Sequence, residues 1–134
     1  MINFYLYYNG ELDNQHHAPL IDQILNYTFT EDLKLIEHII KKLPYYAFLY
    51  AFYVIKGRWP EAEPYIKTRP FAAYSYARDV VKGQWLEAEP YIMKDPSSSH
   101  LYARYAIKGR WIDAESYIMK DGTWWGHYCV VFGI

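Results

Sequence analysis

One period governs this chain. Gly57, Gly83 and Gly109 stand 26 residues apart, and Trp59, Trp85 and Trp111 keep the same step. The pairs Tyr50-Ala51, Tyr76-Ala77 and Tyr102-Ala103 follow it, as do Glu63, Glu89 and Glu115, and then Ile66, Ile92 and Ile118. So many positions in one register make internal repetition the first constraint on the fold. The register runs on in both directions. Pro44, Glu37, Ile40 and Lys41 match Pro70, Glu63, Ile66 and Lys67, and Leu33 stands where the tryptophans stand. Repeats are therefore expected at 44–69, 70–95 and 96–121, with a degenerate unit at 19–43. Tyr128 continues the tyrosine row, so 122–134 reads as a C-terminal cap helix, the first half of a further unit. Residues 1–18 read as an N-terminal cap with a turn at Asn9-Gly10.

Each unit divides into two helices. The first, as in 70–82, opens on a proline, which suits a first helical turn. Ala73, Tyr76, Ala77, Val80 and Val81 then recur at three- and four-residue steps, forming one apolar helical face. Gly83 is expected to end this helix, with Lys82 complementing the dipole of its last turn. The second half, as in 85–94, places Trp85, Ala88 and Ile92 on one face, with Glu87 and Glu89 in its first turn. Pro64 and Pro90 require either a short helix with proline near its start or a kink, since an interior proline costs about 3 kcal/mol. Ser116 fills that position in the next unit, so the geometry does not demand proline. Helices this short are marginal alone and gain stability by stacking on a neighbour. The expected fold is all-α, an αα-hairpin repeat solenoid in a single domain.

At 134 residues with 52% hydrophobic and 22% charged residues, the chain is able to bury a core. The aromatic share of 20%, including 16 tyrosines, suits thin layers held together by large rings. A net charge of -1 argues against bulk electrostatic binding of nucleic acid. Residues 1–43 carry three basic and six acidic residues, and the remainder eleven basic and nine acidic, a mild asymmetry. The single cysteine, Cys129, excludes an intramolecular disulfide and a multi-thiolate zinc site, and fits a reducing compartment. No signal-peptide pattern opens the sequence and no apolar run reaches membrane-spanning length. A cytoplasmic protein without membrane contact is expected.

The line Tyr50-Ala-Phe-Tyr-Val-Ile-Lys-Gly-Arg-Trp-Pro-Glu-Ala-Glu-Pro-Tyr-Ile66 returns as Tyr76-Ala-Arg-Asp-Val-Val-Lys-Gly-Gln-Trp-Leu-Glu-Ala-Glu-Pro-Tyr-Ile92. It returns again as Tyr102-Ala-Arg-Tyr-Ala-Ile-Lys-Gly-Arg-Trp-Ile-Asp-Ala-Glu-Ser-Tyr-Ile118. This pattern resembles a short helical repeat of uncharacterised bacteriophage and giant-virus proteins, across about 44–121. The resemblance implies a helical solenoid of viral origin and supplies no catalytic residues. Gln84, Asp113 and Ser116 depart from the pattern.

No catalytic constellation emerges, and no cofactor is expected. Glu87 and Glu89 lie two apart on a helix and do not share a face, which disfavours an acid/base pair. His16-His17 lack further metal ligands. Cys129 lacks a nucleophile context and reads as a small packing residue. Two surfaces stand out. Lys56, Arg58, Lys82, Lys108 and Arg110 would form a basic ridge if the units stack, either capping helix ends and pairing with Glu61, Glu63, Glu87, Glu89, Asp113 and Glu115 of adjacent units, or contacting an acidic partner or phosphates. Trp124, Trp125, Tyr128 and Phe132 would give an aromatic end suited to an interface or a homo-oligomer contact, and Tyr45-Tyr46 is a second aromatic pair. The first reading is a non-enzymatic module that binds a host protein as inhibitor or adaptor. The alternative is a nucleic-acid or nucleotide binder that uses the ridge with neighbouring tyrosines.

Overall fold

The computed structural model describes residues 33–134. The expected N-terminal cap, most of the degenerate unit and His16-His17 lie outside the described residues. Those described are helical, with no strand among them. Helix α1 spans Leu33–Ile40 and α2 Pro44–Tyr50. Then come α3 (Glu63–Ile66), α4 (Pro70–Tyr76), α5 (Glu89–Ile92), α6 (Pro96–Tyr102), α7 (Ile112–Ile118) and α8 (Gly122–Phe132). Helices α2, α4 and α6 each run on into a wider turn with π geometry, at Ala51–Ile55, Ala77–Val81 and Ala103–Ile107. Helices α2, α4, α6 and α8 pack in succession, and α3, α5 and α7 each lie against the long helices before and after them.

Local sequence explains these boundaries. Pro44, Pro70 and Pro96 occupy the first turns of α2, α4 and α6, where a missing N–H leaves no bond unmade. Gly122 takes that place in α8, and the Asp121 carboxylate accepts the N–H groups of Thr123 and Trp124. Pro64 and Pro90 sit in the first turns of α3 and α5. The short-helix alternative therefore holds, and before α5 a single 3-10 turn, Leu86–Ala88, carries the chain up to the proline. With Ser116 in place of proline the same segment is one seven-residue helix, α7.

Small residues let the long helices approach. Ala47, Ala51, Ala73, Ala77 and Ala103 are wholly excluded from solvent. Trp59, Trp85 and Trp111 occupy equivalent buried sites at 7%, 2% and 6% exposure. Each lies against the tyrosine of its own unit. Ring centroids are 5.0 Å apart for Tyr50–Trp59, 4.8 Å for Tyr76–Trp85 and 4.8 Å for Tyr102–Trp111.

The tyrosine hydroxyls join each unit to the one before it. Tyr76 accepts the backbone N–H of Trp59 at 2.8 Å and donates to Glu63 at 2.6 Å. Tyr102 does the same with Trp85 and Glu89, both at 2.8 Å, and Tyr128 with Trp111 and Glu115, both at 2.8 Å. Tyr50 donates to Glu37 at 2.7 Å. Dipole compensation is thus not the main task of Glu63, Glu89 and Glu115, since each is the acceptor for the tyrosine that follows. Glu63 and Glu115 also receive bidentate bonds from Arg58 and Arg110. Gln84 deprives Glu89 of that second partner.

These bonds set the pH dependence. Burial, reinforced by the glutamate partner, pushes the Tyr50, Tyr76 and Tyr102 phenols well above their ordinary value and that of Tyr128 up to about 12. Burial opposes ionisation of Glu63, but hydrogen bonds from Arg58 and Tyr76 outweigh it and hold the carboxyl below its usual range. The Arg110 guanidinium holds Glu115 low against the same opposition.

Three outcomes are expected. Trp85→Ala should lower stability by roughly 3–5 kcal/mol in denaturant melts, the usual loss on emptying a large aromatic site. A parent-like melt would place the tryptophans outside the core. Tyr102→Phe orphans a buried N–H and a carboxylate, and should lose about 1–3 kcal/mol. In the parent, the raised phenol values mean that the folded state binds more protons above about pH 10, so stability is full below that pH and falls as pH climbs through 12. The depressed glutamates add a loss below about pH 4. Flat stability between pH 9 and 12, measured by urea midpoints, would contradict the role given to the hydroxyls.

Candidate functional site

The ends of α2, α4 and α6 converge on one face, where their π turns stack side by side. In the first of these turns the Ala51 carbonyl accepts two N–H groups, from Lys56 at 2.7 Å and Gly57 at 3.2 Å. The same carbonyl position, Ala77 or Ala103, accepts from Lys82 and Gly83, and from Lys108 and Gly109. The left-handed position falls on the lysine: φ is 60° at Lys56, 63° at Lys82 and 63° at Lys108. The expectation that the glycine ends the helix is thereby corrected by one residue, to the lysine before it. None of the three glycines has φ in the left-handed region, and a β-carbon on any of them would meet nothing within 4 Å.

The structure divides the five ridge residues into two kinds. Arg58 and Arg110 are engaged within their own units, at 2.8 Å and 2.7 Å from Glu63 and Glu115. Lys56, Lys82 and Lys108 are exposed and have no carboxylate within salt-bridge distance among the described residues. The pairing foreseen, with carboxylates of adjacent units, is thus corrected: the arginines pair within their own units, and the lysines pair with no carboxylate among the described residues.

Two further cations join the face. Arg78 and Arg104 stand one helical turn before Lys82 and Lys108, both exposed. Arg78 lies over the Tyr74 ring at 5.0 Å, donates to its hydroxyl and forms a bidentate pair with Asp79. Arg104 lies over Tyr105 at 5.0 Å, with no carboxylate partner among the described residues. Phe52 occupies the equivalent position in the first unit, which hides the row from a motif search: it reads Phe, Arg, Arg. The face therefore alternates cations with the exposed rings of Phe52, Tyr53 and Tyr105.

The aromatic end is arranged differently from the expectation. Tyr128 is fully buried and serves as the hydroxyl link to α7, so it is not an interface group. Phe132 packs on it at 4.7 Å, and Trp125 stacks on it at 5.4 Å. Trp124 packs against His100 at 5.6 Å. The outer stripe of α8 is instead Thr123, Gly126, His127 and Val130, all exposed. Tyr45-Tyr46 begins α2, with Tyr46 buried and Tyr45 against Phe71 at 5.8 Å. Cys129 is a partly buried free thiol. Among the described residues no group of three metal-ligating side chains comes together, and no helix is long and apolar enough to cross a membrane.

The chain matches no family model, no curated protein and no solved structure. Its chemistry must be read from the face itself. A lysine in the left-handed region costs about 1–2 kcal/mol relative to a residue without that strain, so Lys82→Gly should raise stability by about 1 kcal/mol. Gly83→Ala should change it by less than about 0.5 kcal/mol. Urea midpoints of the two variants check this. A large loss in Gly83→Ala with no gain in Lys82→Gly would return the cap to the glycine.

Proposed function

We propose that this chain is a non-enzymatic protein-interaction module whose stacked π-turn face holds an acidic surface of another protein. One observation carries the reading: three equivalent lysines sit on strained backbone, exposed and, among the described residues, without a carboxylate partner. A cation near a helix C-terminus is favourable in itself. That accounts for a positive charge in the last turn, but not for a lysine where glycine would relieve the strain. Strain retained at an exposed position points to a role outside the fold. Net charge of the whole chain is -1, so the positive field is local to this face and suits a protein partner better than a polyanion.

The motif's resemblance to viral repeats supports a host protein as the partner, with the chain acting in the host cytoplasm as inhibitor or adaptor. Nucleic acid is the second reading, favoured by the tyrosines beside the cations.

The test compares the parent with a variant carrying Lys56→Glu, Lys82→Glu and Lys108→Glu, its fold checked by circular dichroism. A purified stoichiometric partner identified from host lysate should bind the parent, more weakly as salt rises, and should lose at least tenfold in affinity for the variant. Equal binding to both would remove the face from the function. Retention of nucleic acid alone, with a steep salt slope, would replace the protein partner by the second reading.

A further inference from the structure

The face contains a cavity at one of its junctions. Between the first two π turns, Phe52, Lys56, Gly57, Asp79, Val80 and Lys82 surround a space of about 320 Å³ that opens to solvent. One wall is apolar and fixed: Phe52 stacks on Phe48 at 6.1 Å and meets Tyr53 edge-on at 4.8 Å, while Val80 is partly buried against the core. Lys56 and Lys82 flank it, each on a defined left-handed backbone. The carboxylate at its edge, Asp79, is held by the Arg78 guanidinium at 2.7 Å, so it does not cancel the lysines. The next junction differs in kind. There Arg78 replaces Phe52, Tyr105 replaces Asp79 and Ala106 replaces Val80, so an arginine stands in place of the apolar wall.

We infer that this cavity is an anchor pocket that takes an aromatic side chain of the partner, flanked in the partner's sequence by acidic residues that reach Lys56 and Lys82. The inference rests on the acidic-partner reading and adds a fixed register to it. The volume lies at the lower end of the range for small-ligand sites, which suits one side chain better than a cofactor. An apolar wall with cations at the rim matches an apolar anchor with a polar surround, the usual anatomy of an interface hot spot. Packed helices lie about 8–10 Å apart. An extended peptide rises about 3.3 Å per residue, so acidic residues one or two positions either side of the ring fall beside the two lysines.

The repeat itself supplies the decisive variant. Phe52→Arg installs the residue already found at the equivalent positions Arg78 and Arg104, so the scaffold accommodates it, and it adds positive charge while removing the apolar wall. The probes are three fluorescein-labelled peptides: four glutamates with a central phenylalanine, the same peptide with alanine at the centre, and five glutamates. Fluorescence anisotropy at low salt reads the affinities, and amide shifts in NMR spectra read the location. The parent should bind the phenylalanine peptide about tenfold more tightly than the alanine peptide. The shifts should concentrate at 52–57 and 79–83 rather than 103–109. Phe52→Arg should bind the all-glutamate peptide at least as well as the parent does, yet lose the preference for phenylalanine. If the parent binds all three peptides alike, with shifts spread evenly over the three lysine turns, the pocket is overturned and the basic face stands. If no peptide binds while Lys56→Glu, Lys82→Glu and Lys108→Glu still abolish capture of the protein partner, the pocket falls alone. If that triple variant captures normally, both fall.

Discussion

At the junctions made by Tyr76, Tyr102 and Tyr128 a single phenolic oxygen both accepts and donates, and the array depends on it. The buried N–H of Trp59, Trp85 or Trp111 has no helical carbonyl within reach, because it lies in the link between two helices. A buried donor left unpaired is expensive. The next unit supplies the acceptor, and the hydroxyl's own proton goes back to a glutamate of the preceding unit. Each unit therefore leaves a donor and an acceptor that the following one satisfies. Apolar stacking alone would allow neighbouring helices to slide. The two-way bond fixes their rotation and rise together, which brings the π turns onto one face.

Much of this was legible in the sequence, and the missing parts have specific causes. The period, the prolines at helix starts, the buried tryptophans and the all-helical class follow from residues that recur with little change. The Tyr–Trp–Glu bonding was hidden, although all three rows were visible, because spacing gives periodicity and not which atoms meet across a junction. Glu89 two residues after Glu87 looked like first-turn charge compensation, whereas Glu89 accepts from Tyr102 and Glu87 is exposed. The cap was misplaced by one residue, since a π turn has no sequence signature and glycine is the usual left-handed residue. The basic face was partly visible. Its lysines recur, but Arg78 and Arg104 share their row with Phe52, and only stacking shows that these are equivalent positions. The aromatic end misled for a related reason: composition reveals rings and not the direction they face, and all four chosen at the terminus pack in or against the core.

Scaffold and display are distinct sets of residues. The positions that hold units together, the tyrosine, tryptophan, glutamate and alanines, are buried or bonded. The positions on the π-turn face differ from unit to unit: Phe52, Arg78, Arg104 in one row, and Tyr53, Asp79, Tyr105 in the next. Variation there leaves the junction bonds intact. A face assembled this way is able to change its chemistry one unit at a time, and its first junction has an apolar wall that the second lacks.

The link between a glutamate and a tyrosine 13 residues later, with the tryptophan N–H reaching a tyrosine 17 residues on, has a consequence for length. Excision or insertion of whole 26-residue blocks rejoins a matching set of partners. Any other number of residues places a different side chain opposite the tryptophan link. The number of units is thus quantised while remaining free, and gene duplication or unequal crossing-over in this register would lengthen or shorten the face without redesigning a single contact. Such a protein sets its length by counting.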